Sequence, residues 1–282
     1  TLSVIDINTT DTVTASVTSV VATSTTAGLI SSNAALLNML AVNANIIDGM
    51  TESGQISWSF DSGSEAFDYL AVGESLTLTY TITATDSQGA SDTQEVTITV
   101  TGTNDAPVIT VETGDSAGAS LDVTGATLLA DGTLSVGDLD RTDLVTAAIS
   151  GFSKTGDTTG LVLSDAQLEA LLAINTNIID GTQQAGVIHW DFDSAGYTFG
   201  YLGANESLTL VYTITVTDSQ GATDAQDITI VIHSDNSVPV ISIEPGDSDA
   251  ETLVETDSSI STTGTLSVID INTTDTVTAS VT

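Results

Sequence analysis

Cysteine is absent from this sequence, which excludes a disulfide framework and any thiolate metal site. Basic residues are nearly absent too. Arg141 and Lys154 stand against 38 Asp and Glu, a formal charge of −36 over 282 residues. Nucleic acid and anionic membrane surfaces are poor partners for such a chain, because affinity for them comes from Lys and Arg neutralising phosphates. No apolar run approaches the ~18 residues of a membrane span, and Thr1 opens no signal peptide. Membrane insertion is therefore not expected, and the chain reads as an internal piece of something longer.

What is present argues for a folded protein. High net charge often marks disorder, yet hydrophobic residues make up 40% and charged ones only 14%. The acid excess comes from missing bases rather than from many acids. Self-repulsion still destabilises the compact state unless cations offset it, which directs attention to metal ligands.

The strongest signal is self-similarity. TLSVIDINTTDTVTASVT at 1–18 recurs letter for letter at 265–282, and TLSVGDLDRTDLVTAAIS stands midway at 133–150. The same spacing of 132 residues links NIIDG at 45–49 with 177–181, Trp58 with Trp190, TDSQGA at 85–90 with 217–222, and NDAPVI at 104–109 with NSVPVI at 236–241. Pro is tolerated at the start of a strand but not inside a central one, so the seams fall at Pro107 and Pro239. The expected domains are 1–104, lacking its first strands, then 105–236, complete, then 237–282, the opening of a third. Identity at both ends fits a window cut from a long array with a 264-residue super-period.

Within one repeat, PVITVE (107–112), a short stretch near 121–123, TLSV (133–136), LVTAAIS (144–150), VIHWDF (187–192), ESLTLVYTITVTD (206–218) and AQDITIVI (225–232) alternate as strands, and DSQG at 218–221 makes a hairpin turn. SDAQLEALLAI (164–174) reads as a helix with a Ser164/Gln167 capping box, echoed by SNAALLNMLAV at 32–42. The fold expected is all-β: tandem antiparallel β-sandwich domains, each with one short helix inserted.

The stretch FDYLAVGESLTLTYTITATDSQGASDTQEVTITVTGTNDAPVI (67–109) resembles the VCBS repeat found in tandem in large secreted bacterial adhesins, often of the RTX type. The spacing extends that resemblance over the whole chain, with HSDNSVPVI a looser second seam. The resemblance implies a cadherin-like or immunoglobulin-like sandwich, calcium as cofactor, an extracellular location at the cell surface, and partners that are neighbouring repeats or identical chains in a fibre. In cadherins, calcium rigidifies successive domains at a similar linker.

In sandwiches stacked end to end, the loop between the second and third strands and the final hairpin turn both face the seam. That brings Asp138, Asp140, Asp143 and Asp218 toward Asn104 and Asp105, with Glu74 approaching from the preceding repeat. Calcium takes six to eight oxygens in a flexible shell, which matches this set. The same placement predicts a second joint at Glu206, Asp235, Asn236, Asp270, Asn272 and Asp275, and a third set, Asp6, Asn8, Asp11 and Asp86, at the opposite end of the first repeat. Glu255 is expected at a joint beyond; its counterpart is Val123, beside Asp122. The competing reading is that DxDxxD and TDSQG are turns whose Asp side chains bond their own backbone.

Nothing points to catalysis. His189 and His233 are replaced by Ser57 and Thr101 in the other repeat, and alternation puts Asp191 and Asp193 on one exposed strand face rather than across a cleft. Trp58 and Trp190 are expected on a core face. The leading expectation is a non-enzymatic spacer stiffened by calcium. Two alternatives remain: a filament subunit joined by strand exchange, and a carbohydrate-binding module, for which 4% aromatics is a thin supply. A generally acidic, salt-adapted surface would also explain the charge.

Overall fold

The computed structural model describes residues 1–123, 126–234, 236, 238–270, 272 and 275–281. In the first repeat the elements are β1 (Leu2–Ile5), β2 (Thr12–Ser24), α1 (Asn33–Asn38), β3 (Leu40–Val42), β4 (Asn45–Asp48), β5 (Ser53–Ile56), β6 (Trp58–Phe60), β7 (Ser75–Asp86) and β8 (Ser91–Thr101). The second repeat contains β9 (Val108–Thr110), β10 (Gly118–Asp122), β11 (Leu129–Gly137), β12 (Leu144–Gly156), α2 (Asp165–Glu169), β13 (Leu172–Ile174), β14 (Asn177–Asp180), β15 (Ala185–Asp193), β16 (Ser207–Thr217) and β17 (Thr223–His233). Two short strands follow, β18 (Val240–Ser242) and β19 (Ser267–Ile269), which pair antiparallel.

The second repeat is a β-sandwich. A five-stranded sheet in the order β10-β17-β16-β12-β14 faces a four-stranded sheet in the order β13-β15-β11-β9. All pairs are antiparallel except β10 with β17, which is parallel. Period-2 alternation sets the core: along β16, Leu208, Leu210, Tyr212, Ile214 and Val216 point inward and are fully buried, with Thr, Val and Ser between them half-buried. Across the sandwich they meet Leu134, Ile188, Trp190 and Phe192. The first repeat repeats the plan with a separate core around Leu36, Leu76, Leu78, Tyr80 and Ile82, but its second layer is two small sheets, β1-β5 and β3-β6.

Each helix is held by a tyrosine from the facing sheet. Tyr80 donates its hydroxyl to Leu36 O at 2.9 Å, and Tyr212 donates to Leu168 O at 2.8 Å. The Ser164/Gln167 capping box forms as expected. The helix is shorter than the eleven residues the apolar spacing predicts. It stops at Glu169, and Leu172–Ile174 continues as β13 against β15. An edge strand there buries Leu172 and satisfies the backbone of Trp190–Phe192, which one more helical turn would leave unpaired. NIID, not assigned by periodicity because of its two adjacent isoleucines, forms edge strands β4 and β14.

The two tryptophans part company. Trp190 is 1% exposed, donates Nε1 to Ser116 O at 2.8 Å, and lies against Gly132, where a Cβ would come within 2.4 Å of the ring. Trp58 is 38% exposed, so it is only one side of a core face. The positions equivalent to β9 and β10, the strands that flank the Ser116 segment in the second repeat, would fall before residue 1.

Candidate functional site

Loop 138–143 carries the chain from β11 in one sheet to β12 in the other, so it caps the end of the sandwich that meets the first repeat. The hairpin turn between β16 and β17 sits beside it. The final strand of the first repeat, β8, delivers Asn104 and Asp105 to the same place. Asn104 Nδ2 donates to Asp218 Oδ2 at 2.8 Å, the Asp105 N–H donates to Asp140 Oδ2 at 2.8 Å, and the Arg141 N–H reaches Tyr69 O at 3.5 Å. Both repeats therefore contribute to one site.

The acidic side chains use one oxygen for local structure and turn the other to the junction. Asp138 Oδ1 accepts the Asp140 N–H at 2.9 Å, and Asp218 Oδ1 accepts the Gln220 and Ala222 N–H groups, both at 2.8 Å. So the turn reading accounts for one oxygen of Asp138 and one of Asp218. Asp138, Asp143 and Asp218 each offer an oxygen within 4.8 Å of the others. Asp138, Asp140 and Asp143 are at most 3% exposed. Asp138 Oδ2, Asp140 Oδ1, Asp143 Oδ2 and Asn104 Oδ1 are buried with no hydrogen-bond partner. Buried polar atoms nearly always find one, and an unpaired buried carboxylate is costly.

The charges respond to that crowding. Burial, then the neighbouring Asp143, Asp105 and Asp138 carboxylates, push Asp140 up to about 6 despite the Asp105 N–H bond. Burial and the charges of Asp143, Asp218 and Asp105 also raise Asp138. Asp218 goes the other way: burial is its largest single influence and raises it, but Asn104 and the backbone N–H groups of Ala222, Gln220 and Gly221 together hold it low. All donors at the cluster are oxygens, anionic or amide. That set fits calcium, which accepts six to eight oxygens at flexible geometry, better than magnesium, which demands an octahedron and keeps its waters.

Two outcomes follow for the metal-free protein. A raised carboxylate contributes stability that is full below its ordinary value of 3.8 and is lost as pH rises through about 6. Thermal unfolding in EDTA should therefore occur at higher temperature at pH 5 than at pH 7. Added calcium should reverse that slope, since protons compete for its ligands. Asp140→Asn should flatten the EDTA slope and raise stability there by about 1–3 kcal/mol, the penalty of an unsatisfied buried group, while weakening calcium binding; circular dichroism melts and calorimetric titration read both.

The other expected positions differ in how they are placed. Asp6, Asp11 and Asp86 form a cluster within the same 4.8 Å limit, with Asn8 N–H donating to Asp6 Oδ1 and Asp86 Oδ1 capping its own turn. At the second joint, Asn236, Asp270 and Asp275 line one cavity of about 470 Å³. Asn272 is 1% exposed and donates Nδ2 to Leu202 O at 2.5 Å, an interrepeat bond that a carboxylate at position 140 cannot make. Asp235 lies outside the described residues. Glu74 and Glu206 accept the N–H groups of Ala71 and Gly203, closing the preceding turns, and lie outside the three-carboxylate clusters. Glu255 and Asp122 are exposed.

Three residues that matter were not singled out from sequence. Asp224 accepts the Ile109 N–H at 2.8 Å and pins β9. Asp115 accepts from Thr133 Oγ1 and from Ser135 through both its N–H and hydroxyl. Gln220 reaches Asp143 Oδ1 at 3.4 Å. Each has a counterpart 132 residues away (Asp92, Asp247 and Gln88), and that recurrence was the available signal.

No protein-family model and no curated protein sequence matches this chain. Solved structures share its layered β architecture. Extracellular repeats EC21-23 of human CDH23 are 14% identical, with 92% of this chain and 68% of that one covered at a TM-score of 0.43. Extracellular cadherin domains 1–5 of protocadherin gamma B2 are 13% identical, covering 90% and 40% at 0.36. The CooA pilin subunit of enterotoxigenic Escherichia coli is 12% identical, covering 48% and 100% at 0.29. At these scores the functional reading rests on the residues of this chain. No helix is long and apolar enough to cross a membrane among the described residues.

Proposed function

We propose that this chain is a non-enzymatic, extracellular spacer: tandem sandwich domains bounded at 1–104, 105–236 and 237–282, stiffened by calcium at their joints. The observation that carries the reading is the set of four buried, unpartnered oxygens contributed by Asn104, Asp138, Asp140 and Asp143 at one junction. A cation there would offset the mutual repulsion that raises Asp138 and Asp140 and tie the second repeat to the linker of the first. The resemblance of residues 67–109 to VCBS repeats supports placing the array in a large bacterial surface adhesin.

The mechanism is mechanical. Extracellular calcium modules work at a Kd of ~10⁻⁴–10⁻³ M, so the joints stay open in the cytosol and close outside the cell. An exported chain then becomes a rod holding a distal binding domain away from the surface. Thermal unfolding in EDTA, followed by titration with calcium, magnesium and potassium chloride, tests this. A calcium-selective rise supports it, and equal responses to all three salts reduce the junction to a set of turns.

A further inference from the structure

Residues 105–117 form a strap along the second repeat, fastened at a few separate points. β9 pairs with β11 over three residues only, Val108–Gly137, Ile109–Val136 and Thr110–Ser135. Pro107 offers no N–H at its start, and within β9 only Ile109 is buried. Asp224 accepts the Ile109 N–H, and Asp115 accepts from Thr133 Oγ1 and from the N–H and hydroxyl of Ser135. The Ser116 N–H donates to Thr133 O at 3.0 Å, and Ser116 O takes the Nε1–H of the buried Trp190.

The element after the strap is held differently. β10 runs parallel to β17, with Gly118 to Asp122 registered against Thr229 to His233. β17 starts at Thr223, beside the joint with the first repeat, and pairs with β16 along eleven residues. Tension along the array enters the second repeat at Asp105 and leaves beyond His233, so it draws β10 toward one end of the sandwich and β17 toward the other. A parallel pair loaded in that sense is sheared, with all five residue pairs resisting together. β9 is sheared against β11 too, but over three pairs, and it comes first in the path of the load. The shorter pairing yields first.

We propose that residues 105–117 are a load-releasing strap, latched at the joint by a cation among Asn104, Asp138, Asp140 and Asp143, and that β10–β17 is the clamp that keeps the repeat folded once the strap lets go. The inference rests on the spacer reading. With the joint filled, Asn104 and Asp105 are tied to loop 138–143 and, through Asp218, to the turn that opens β17, so the load bypasses β9. With the joint empty, the Asn104–Asp218 and Asp105–Asp140 hydrogen bonds alone stand between the load and β9. The thirteen residues of the strap extend to about 45 Å. They already span about 20 Å, the rise of the six residues from Thr223 to Thr229 along β17. Each release therefore lengthens the rod by about 25 Å and uncovers Trp190 without unfolding the sandwich.

The chain has no cysteine, so Thr101→Cys and His233→Cys place the handles of an optical trap at exposed positions on either side of the second repeat. Pulled in EDTA, the full chain should lengthen by a first step of about 25 Å and then unfold residues 118–233 in one event of roughly 400 Å. In calcium at about 10 mM the first step should move to higher force. Asp224→Ala should lower the force of the first step only. Gly118→Ala, whose Cβ would stand 2.1 Å from Thr229 O, should lower the force of the second only. A single-event trace in EDTA, or a first step indifferent to Asp224→Ala, overturns the strap. A first step at the same force with and without calcium overturns the latch. The calcium rise in melting temperature is measured without load, so the joint reading stands or falls apart from either result.

Discussion

Calcium at about 10 mM should raise the melting temperature of the second repeat by roughly 4–10 °C relative to EDTA, and Asp143→Asn should abolish most of that rise. Mass action sets the size. An ion at ten- to a hundred-fold over its Kd stabilises the folded state by about 1.4–2.7 kcal/mol, and a repeat of this length converts each kcal/mol into a few degrees. The diagnostic feature is the sign in the absence of metal. Asp143 Oδ2 is buried without a partner among carboxylates that already repel one another. Neutralising it in EDTA should therefore leave the protein as stable as wild type or more so. A residue that merely capped a turn would show the opposite: a loss of stability in EDTA and an unchanged calcium increment. Magnesium should give a small fraction of the effect, because it dehydrates reluctantly and is seldom held by an all-protein set of oxygens. Molar potassium chloride should screen the exposed acids and do little for the buried ones.

The joint was legible in sequence because its parts are local and repeated. DLDRTD, TDSQG and NDAP recur at one spacing, and a sandwich with strands of these lengths has only two ends at which they can lie. Asp138, Asp140, Asp143, Asp218, Asn104 and Asp105 meet for that reason. What sequence did not reveal is which oxygen of each carboxylate is spent on its own turn, since that depends on rotamers set by burial. Glu74 and Glu206 were assigned to the joint by loop placement, yet each closes the turn it belongs to.

The fold was legible to a similar depth. Alternation in SLTLVYTITVT finds a strand buried on one face without help. The segment ALLAI is ambiguous between helix and edge strand, because Leu168, Leu171 and Leu172 share a helical face while Leu172 and Ile174 alternate as in a strand; tertiary pairing with Phe192 and Trp190 decides it. Identity between repeats also concealed an asymmetry. Trp58 and Trp190 occupy equivalent positions, but a side chain is buried by what covers it, and the equivalent of the Ser116 segment that covers Trp190 would fall before residue 1.

That asymmetry gives the second large effect. Trp190→Ala should destabilise the second repeat by about 3–5 kcal/mol, the range for deleting a fully packed aromatic. Its ring fills the space over Gly132, and its Nε1–H satisfies Ser116 O, which truncation leaves bare. Trp58→Ala, the same chemical change 132 residues earlier, should cost the first repeat less than half as much, because more than a third of that side chain is already in water and removing it opens a surface groove rather than a cavity. Urea unfolding followed by far-ultraviolet circular dichroism on dilute, monomeric protein measures both. The two cores are separate, so each variant should move one transition and leave the other. Equal costs would mean that the exposure of Trp58 does not set its contribution.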